Sequence, residues 1–327
     1  MIILTGGAGM IGSMIAWHLN TILNETKFVI FDDFINQEQE KNIGKRNFID
    51  LFNKNDLPKF IKNNNKITAV IHMGAISSTT ESNFNKLLIS NIRYSQMLWS
   101  WCSENKVPFI YASSAATYGG GENGYDDNEI LLSKLTPLNA YGYSKHFFDQ
   151  WVVSQIKLNQ PSPPQWCGLK FFNVYGPNEY HKDRMASVVF HAFEQFEKEK
   201  EIKLFKSANK KYADGMQLRD FIYVKDAVEF VIFFLKNNHI SGLFNSGTGR
   251  AQSFNDLANA VLINTKGDKS NIKYIDMPDD LKGKYQYYTE ANLDKISNKG
   301  FNLKFKNLEE GVNDYMQNYL LTSDRYA

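Results

Sequence analysis

Near its start the chain passes from three apolar residues, Ile2-Ile3-Leu4, straight into Thr5-Gly6-Gly7-Ala8-Gly9-Met10-Ile11-Gly12. A short apolar run is what a strand buried on both faces needs. Apolar residues recur at Ile11, Ile15 and Leu19, which predicts an amphipathic helix from about Ile11. Between strand and helix, Gly6, Gly9 and Gly12 stand in the spacing G-x-x-G-x-x-G. Gly6 permits a tight turn, Gly9 lets backbone approach a ligand, and Gly12 lets helix and strand pack closely. The helix then points its first amides at an anion lying on the loop. This stretch predicts an α/β fold, a Rossmann-type doubly wound parallel sheet, with a dinucleotide on its glycine turn.

The next segments follow that pattern. Phe28-Val29-Ile30-Phe31 reads as a second strand ending in Asp32-Asp33. Asp32 falls about 20 residues after Gly12, where an acid can hold the adenosine ribose. A carboxylate there favours NAD and repels a 2′-phosphate. Lys41, Lys45, Arg46 and Lys54 crowd the following segment. They either neutralise such a phosphate or form a solvated basic loop. Asp50-Leu51 is expected after the third strand, bordering the adenine. Ala69-Val70-Ile71-His72 reads as the fourth strand, with His72 structural. Met73-Gly74-Ala75 follows, where backbone must pass close to the cofactor. Asn91, on the next helix, is expected to bond the main chain of the following strand. Pro108-Phe109-Ile110-Tyr111-Ala112 is the fifth strand, leading into Ser113-Ser114-Ala115-Ala116-Thr117-Tyr118-Gly119. A hydroxyl such as Ser114 at a strand's carboxyl end can hydrogen-bond a substrate oxygen.

Tyr141-Gly142-Tyr143-Ser144-Lys145 supplies the chemistry. One helical turn puts Tyr141 and Lys145 on the same face. An ammonium close to the phenol is expected to lower its pKa. The pair then moves a proton in hydroxyl/carbonyl chemistry beside a nicotinamide.

Composition excludes several alternatives. With 37 basic and 35 acidic residues the net charge is +2, which points to neither nucleic acid nor an anionic membrane as partner. Cys102 and Cys167 are unclustered, so neither a disulfide framework nor a metal site is expected, and a reducing cytoplasm fits. No apolar run approaches the roughly 20 residues of a membrane span. The N-terminus shows no signal peptide. A length of 327 residues suggests one large or two intimate domains.

Four blocks now stand together: T-G-G-A-G-M-I-G, S-S-A-A-T-Y-G, Y-G-Y-S-K and Arg219-Asp220-Phe221-Ile222-Tyr223-Val224. Over nearly the whole chain the combination resembles the extended short-chain dehydrogenase/reductase family of nucleotide-sugar enzymes. Further blocks are similar to its ADP-heptose 6-epimerase branch, which makes a lipopolysaccharide core precursor. They are Ser77-Ser78-Thr79-Thr80-Glu81, Phe172-Asn173-Val174-Tyr175-Gly176-Pro177, His181-Lys182 with Met185-Ala186-Ser187, and Leu281-Lys282-Gly283-Lys284-Tyr285-Gln286.

The resemblance implies NADP in preference to NAD. It implies that Gly6, Gly9, Met10, Ile11 and Gly12 lie along the pyrophosphate and Asp32 and Asp33 at the adenosine ribose. Lys41 and Lys54 would take the 2′-phosphate. Met73, Gly74, Ala75, Ile76, Ser77, Asn91 and Val174 would line the cofactor. Ser114, Tyr141 and Lys145 would form the catalytic group, with Lys182 as a second base outside the glycine-rich half. Asn173, Lys182, His191, Phe205, Lys206, Ser207, Ala208, Arg219 and Tyr285 would surround an ADP-heptose. No metal is implied, and a homo-oligomer, a pentamer by resemblance, is expected. Arg219 either clasps a diphosphate or pairs with Asp220. Residues 1–173 and about 219–248 would form the cofactor domain, and about 174–218 and 249–327 the sugar-nucleotide domain. Residues 206–218 are longer than the resemblance to that branch implies, and Asp183-Arg184 stands where small residues are expected. Rival readings are a UDP-hexose 4-epimerase and a non-catalytic cofactor-binding relative. A dehydratase is disfavoured, because Ala115-Ala116-Thr117 carries no acid.

Overall fold

The computed structural model describes residues 1–33, 36–64, 66–278 and 285–327. Leu281, Lys282, Gly283 and Lys284, which open one of the blocks carrying the resemblance, lie outside the described residues.

The strands in chain order are β1 (Ile2–Thr5), β2 (Phe28–Asp32), β3 (Asp50–Asn53), β4 (Ala69–His72), β5 (Phe109–Ser114) and β6 (Trp166–Phe171). They continue as β7 (Asn173–Tyr175), β8 (Ile202–Phe205), β9 (Leu218–Tyr223), β10 (Gly242–Ser246), β11 (Ala251–Ser253) and β12 (Ile272–Ile275). Seven of them form one sheet in the order β10-β6-β5-β4-β1-β2-β3. Every pairing in it is parallel. The order reverses between β1 and β4, the switch point at which doubly wound sheets bind ligands.

Alternation along each strand sends side chains to two cores. Leu4, Ile30, Ile71, Ile110, Leu169 and Phe244 pack on one face. Ile3, Val29, Val70, Phe109, Tyr111 and Leu243 pack on the other. Both faces are covered, which is why these strands read as continuous apolar runs.

Two expectations are corrected. Asp50 and Leu51 do not follow the third strand; they open it, at the end away from the carboxyl edge of the sheet. The stretch from Arg219 to Val224, placed with the cofactor domain and so expected to run back to the main sheet, does not join it. β10 already occupies the outer edge of β6, so β9 pairs parallel with β7 and antiparallel with β11 in a small separate sheet. β8 and β12 make a third, two-stranded parallel sheet. Among the described residues no helix is long and apolar enough to cross a membrane, and no cluster of His, Cys, Asp and Glu could hold a metal. Cys102 and Cys167 are buried and free.

Candidate active site

The glycine turn is built as its spacing predicts. Gly6 has φ +66°, and a Cβ there would collide with the backbone of Gly74 at the end of β4. A Cβ on Gly12 would collide with the Gly6 carbonyl. Gly9 is different: a Cβ there would touch only the Gly6 oxygen, at 3.3 Å. Gly9 precedes the helix Met10–Thr21, whose first turn has neither a side-chain cap nor an acidic residue. Open amides at the start of a three-turn helix, behind a turn with no side chains, suit a diphosphate.

Asp32, at the end of β2, is half-buried and braces this turn. It accepts from the Ala8 amide at 2.8 Å, while burial raises its carboxyl pKa. Asp33 pairs with Lys54 at 2.7 Å, and that ammonium lowers its pKa. The other bases of the expected cluster are engaged elsewhere. Lys41 pairs with Glu38 at 2.7 Å. Lys45 bonds Asp324 at 2.6 Å and the Tyr326 carbonyl at 2.7 Å. Arg46 donates to the Ala327 carbonyl at 3.0 Å. Two of the four, Lys45 and Arg46, hold residues 324–327, and Lys41 and Lys54 each pair with a carboxylate.

At the end of β4 the Met73 amide donates to the Thr5 carbonyl at 3.0 Å, laying Met73 and Gly74 along the glycine turn. His72 lies between Thr5 Oγ1 (2.6 Å) and Ser95 Oγ (2.9 Å), and burial pushes its pKa down to about 3. Asn91 does not bond the next strand. It exchanges two hydrogen bonds with Ile76, accepting at 2.9 Å and donating at 3.0 Å, and donates to Ser144 at 3.0 Å. It thereby fixes the loop of Ala75, Ile76 and Ser77 against the catalytic helix.

That helix spans Ala140–Lys157 and starts where Asn139 accepts from the Gly142 amide at 2.8 Å. Any Cβ on Gly142 would sit 2.8 Å from the Ala116 carbonyl, so the helix start is pressed onto the serine turn. Tyr141 is thereby brought beside Ser114, whose hydroxyl favours the ionised phenol. The Ser114 oxygen also accepts from the Ala116 amide at 3.1 Å. Lys145 turns its Nζ to the Ala112 carbonyl at 2.8 Å. The expected lowering of the phenol by the ammonium is corrected. Burial raises Tyr141, Ser114 lowers it, and Asp149 raises it further. Burial also holds Lys145 down at about 8, against the opposing charge of Asp149. Beneath this group lies a buried ion pair that the sequence reading missed, Lys170 with Asp149 at 2.7 Å.

Lys182 lies in a short 3-10 turn, Tyr180–Met185, bounded by Asn178 at φ +68°. Asp183, where small residues are expected, takes φ +46° and ψ −125°, a conformation that suits glycine. Lys182 is not remote from the glycine-rich half. Its Nζ approaches Met10 Sδ at 3.2 Å. Burial lowers its pKa, opposed by Glu179, as a second base at neutral pH requires. Glu179 is fully buried and accepts from Ser187 Oγ at 2.7 Å.

Asn173 opens β7 exposed, with Val174 half-buried beside it. His191, in the helix Val188–Glu199, packs on Phe190, which packs on Tyr180. Phe205 ends β8 and takes a bond from Gln217, 3.4 Å to its carbonyl. Lys206 pairs with Asp276 at 3.1 Å. Ser207 and Ala208 begin the loop expected to be long. It is ordered by Asp214, which accepts from the Ser207 amide at 2.8 Å, and by Tyr212 stacked on Tyr287.

Arg219 does not pair with Asp220. Its guanidinium lies 4.8 Å from the Tyr285 ring centre and 5.7 Å from that of Phe254, and donates to the Leu218 and Gln286 carbonyls. Asp220 accepts instead from the Thr248, Gly249 and Ala291 amides. Gln286 donates to the Gly119 carbonyl at 2.6 Å, bringing the Tyr285 segment onto the serine turn.

Glycine turn, uncapped helix and serine–tyrosine–lysine group together define a protein that binds a nicotinamide dinucleotide on a doubly wound sheet. The chain belongs to the NAD dependent epimerase/dehydratase family, whose model matches residues 2–247. It is 49% identical over the whole of both chains to the ADP-L-glycero-D-manno-heptose-6-epimerase of Fusobacterium nucleatum. The crystal structure of the Helicobacter pylori enzyme of that name is 28% identical, with a TM-score of 0.80, and the match covers 97% of this chain and 95% of that one. A UDP-N-acetylglucosamine 4-epimerase from Methanobrevibacter ruminantium also reaches 0.80, over 97% and 96% of the chains, at 22% identity. Fold alone therefore does not separate sugar substrates; identity over the full length does.

Proposed function

We propose that this chain inverts C6 of the heptose in ADP-D-glycero-D-manno-heptose, giving the L-glycero epimer used in lipopolysaccharide core. The observation that carries the reading is the 49% identity over both full lengths to a relative of that name. A bound nicotinamide supplies the acceptor, and later the donor, of the hydride at the carbinol carbon. Tyr141, beside Ser114, takes the hydroxyl proton on one face of that carbon. Lys145, one helical turn on and held at the Ala112 carbonyl, completes the catalytic group. Lys182, its pKa lowered by burial, serves the opposite face. Arg219, stacked on Tyr285, offers its remaining N–H donors to the substrate diphosphate.

The preferred cofactor in this reading is NADP, and support for it narrows to Lys54 beside Asp33 and to Lys41. Residues 1–173 and about 219–248 hold the cofactor, and about 174–218 and 249–327 hold the sugar nucleotide. The enzyme works as a cytoplasmic homo-oligomer, a pentamer by resemblance. The test is incubation with ADP-D-glycero-D-manno-heptose followed by NMR of the sugar. Appearance of the L-glycero epimer with no net change in cofactor supports the reading; an unchanged sugar rejects it.

A further inference from the structure

Beneath the catalytic group, Asp149 and Lys170 are 0% and 1% exposed. A buried ion pair is a poor way to stabilise a fold, since apolar residues of similar volume do as well or better. Its place in the structure suggests another role. Asp149 sits one helical turn beyond Lys145 on the helix that carries Tyr141. Its two oxygens accept from Tyr111 (3.0 Å), Ser113 Oγ (2.6 Å) and Lys170 Nζ (2.7 Å). Lys170 also donates to Thr117 Oγ1 at 2.7 Å and lies 5.1 Å from the Tyr118 ring centre. Thr117 in turn donates to the Ser114 carbonyl at 2.8 Å. The residue before Ser114 and the residue that bonds its carbonyl are therefore both tied to this pair.

We propose that the Asp149–Lys170 pair is a positioning element of the reaction, holding the Ser114 turn in register with the helix that presents Tyr141 and Lys145. It acts through those three groups and does not touch substrate. The inference rests on their assignment above as the catalytic group. The titratable groups packed around Asp149 are Tyr111 from β5, Lys170 from β6, Tyr118 from the serine turn, and Tyr141, Lys145 and His146 from its own helix. His72 faces Lys145 from β4. The charge of Asp149 raises Lys145 against the lowering by burial, and raises Tyr141 in the same direction as burial, so its removal moves both downward.

The test uses purified protein with its bound cofactor. The Lys145 amine is followed by NMR of ¹³Cε-lysine, its signal assigned by loss in Lys145→Met. The wild type is expected to titrate at about 8, where burial holds Lys145 down. Asp149→Asn is expected to titrate at lower pH. Should Asp149→Asn not fold, the double variant Asp149→Leu/Lys170→Met, an exchange that buried pairs tolerate, is expected to show the same displacement. Turnover should fall by about a hundredfold for a misplacement of about 1 Å, with KM for the sugar nucleotide little changed. Lys170→Arg, which keeps the charge, should retain turnover. An unmoved Lys145 midpoint in a folded variant, or a double variant that cannot fold, overturns the proposal. The titration needs no substrate. Its failure is thus distinct from failure of the epimerase reading, which appears as an inactive wild type.

Discussion

Lys182 Nζ and Met10 Sδ stand 3.2 Å apart, though 172 positions separate them in the chain. Met10 is the first residue of the helix behind the glycine turn. In the proposed reading the second base is thus packed against the helix that would hold the pyrophosphate, and Lys182 would bear on both catalysis and cofactor retention. Lys182→Ala should therefore lose most epimerisation and also carry less cofactor through purification. The check is absorbance of cofactor released by denaturation, per mole of protein. A wild-type cofactor content in Lys182→Ala would show that the Met10 contact has no bearing on cofactor retention.

Tyr141→Phe should differ. The change removes only the phenol hydroxyl, which lies beside Ser114 rather than at the glycine turn. Turnover should fall at least about 100-fold, the usual scale of lost acid/base catalysis, with fold and cofactor retained. If each base serves one face, as proposed, the two variants should differ in which epimer still reduces the bound cofactor. Identical behaviour toward both epimers argues for a single base and leaves Lys182 as a substrate anchor.

In the proposed reading cofactor choice turns on Lys54. It is the base adjoining Asp33 at the end of β2, whereas Lys45 and Arg46 hold residues 324–327. Denaturation of wild type should release NADP over NAD, and Lys54→Ala should lower the NADP share. Release of NAD alone from the wild type would mean that Asp32 sets the choice.

What the sequence disclosed, and what it hid, follows from the range of each interaction. The glycine turn was legible because its constraint is local: Gly6 and Gly12 have no room for a Cβ within one strand–turn–helix unit. Tyr141 and Lys145 were legible because one helical turn fixes their separation. The contacts of Lys45 and Arg46 were hidden because their partners lie more than 270 positions away. Asp149 and Lys170 meet across a helix and a strand, and no spacing rule predicts that. The supposed Arg219–Asp220 pair fails for a local reason that was available. Consecutive residues on a strand point to opposite faces, so neighbours on β9 cannot form a close pair.

That alternation leaves the Arg219 guanidinium between two aromatic rings, without a carboxylate among its described contacts. Arg219→Lys keeps a charge but loses the planar fork and its stacking. KM for the sugar nucleotide should rise about tenfold or more, the scale of one charge-assisted hydrogen bond, while turnover at saturation changes little. An unchanged KM would remove Arg219 from the diphosphate site.

His72 gives a pH prediction with a definite sign. Its imidazole is 3% exposed, and burial lowers its pKa from 6.5 to about 3. Below pH 6.5 the unfolded chain takes up a proton that the folded chain refuses. Stability contributed by the neutral ring is complete above 6.5 and is lost as pH falls toward about 3. The loss from this one group is about 1.4 kcal/mol per pH unit within that window. His18, His146 and His181 are lowered by burial too, so their losses add to the total slope. The contribution of His72 is therefore read as a difference. His72→Phe leaves the Thr5 and Ser95 hydroxyls without their partner and should be less stable at every pH. Its stability, measured by urea unfolding at a series of pH values, should nevertheless fall less steeply with acid than that of the wild type. Parallel slopes for the two proteins would mean that His72 titrates in the folded state much as it does in the unfolded chain, and that its burial between Thr5 and Ser95 does not exclude the proton.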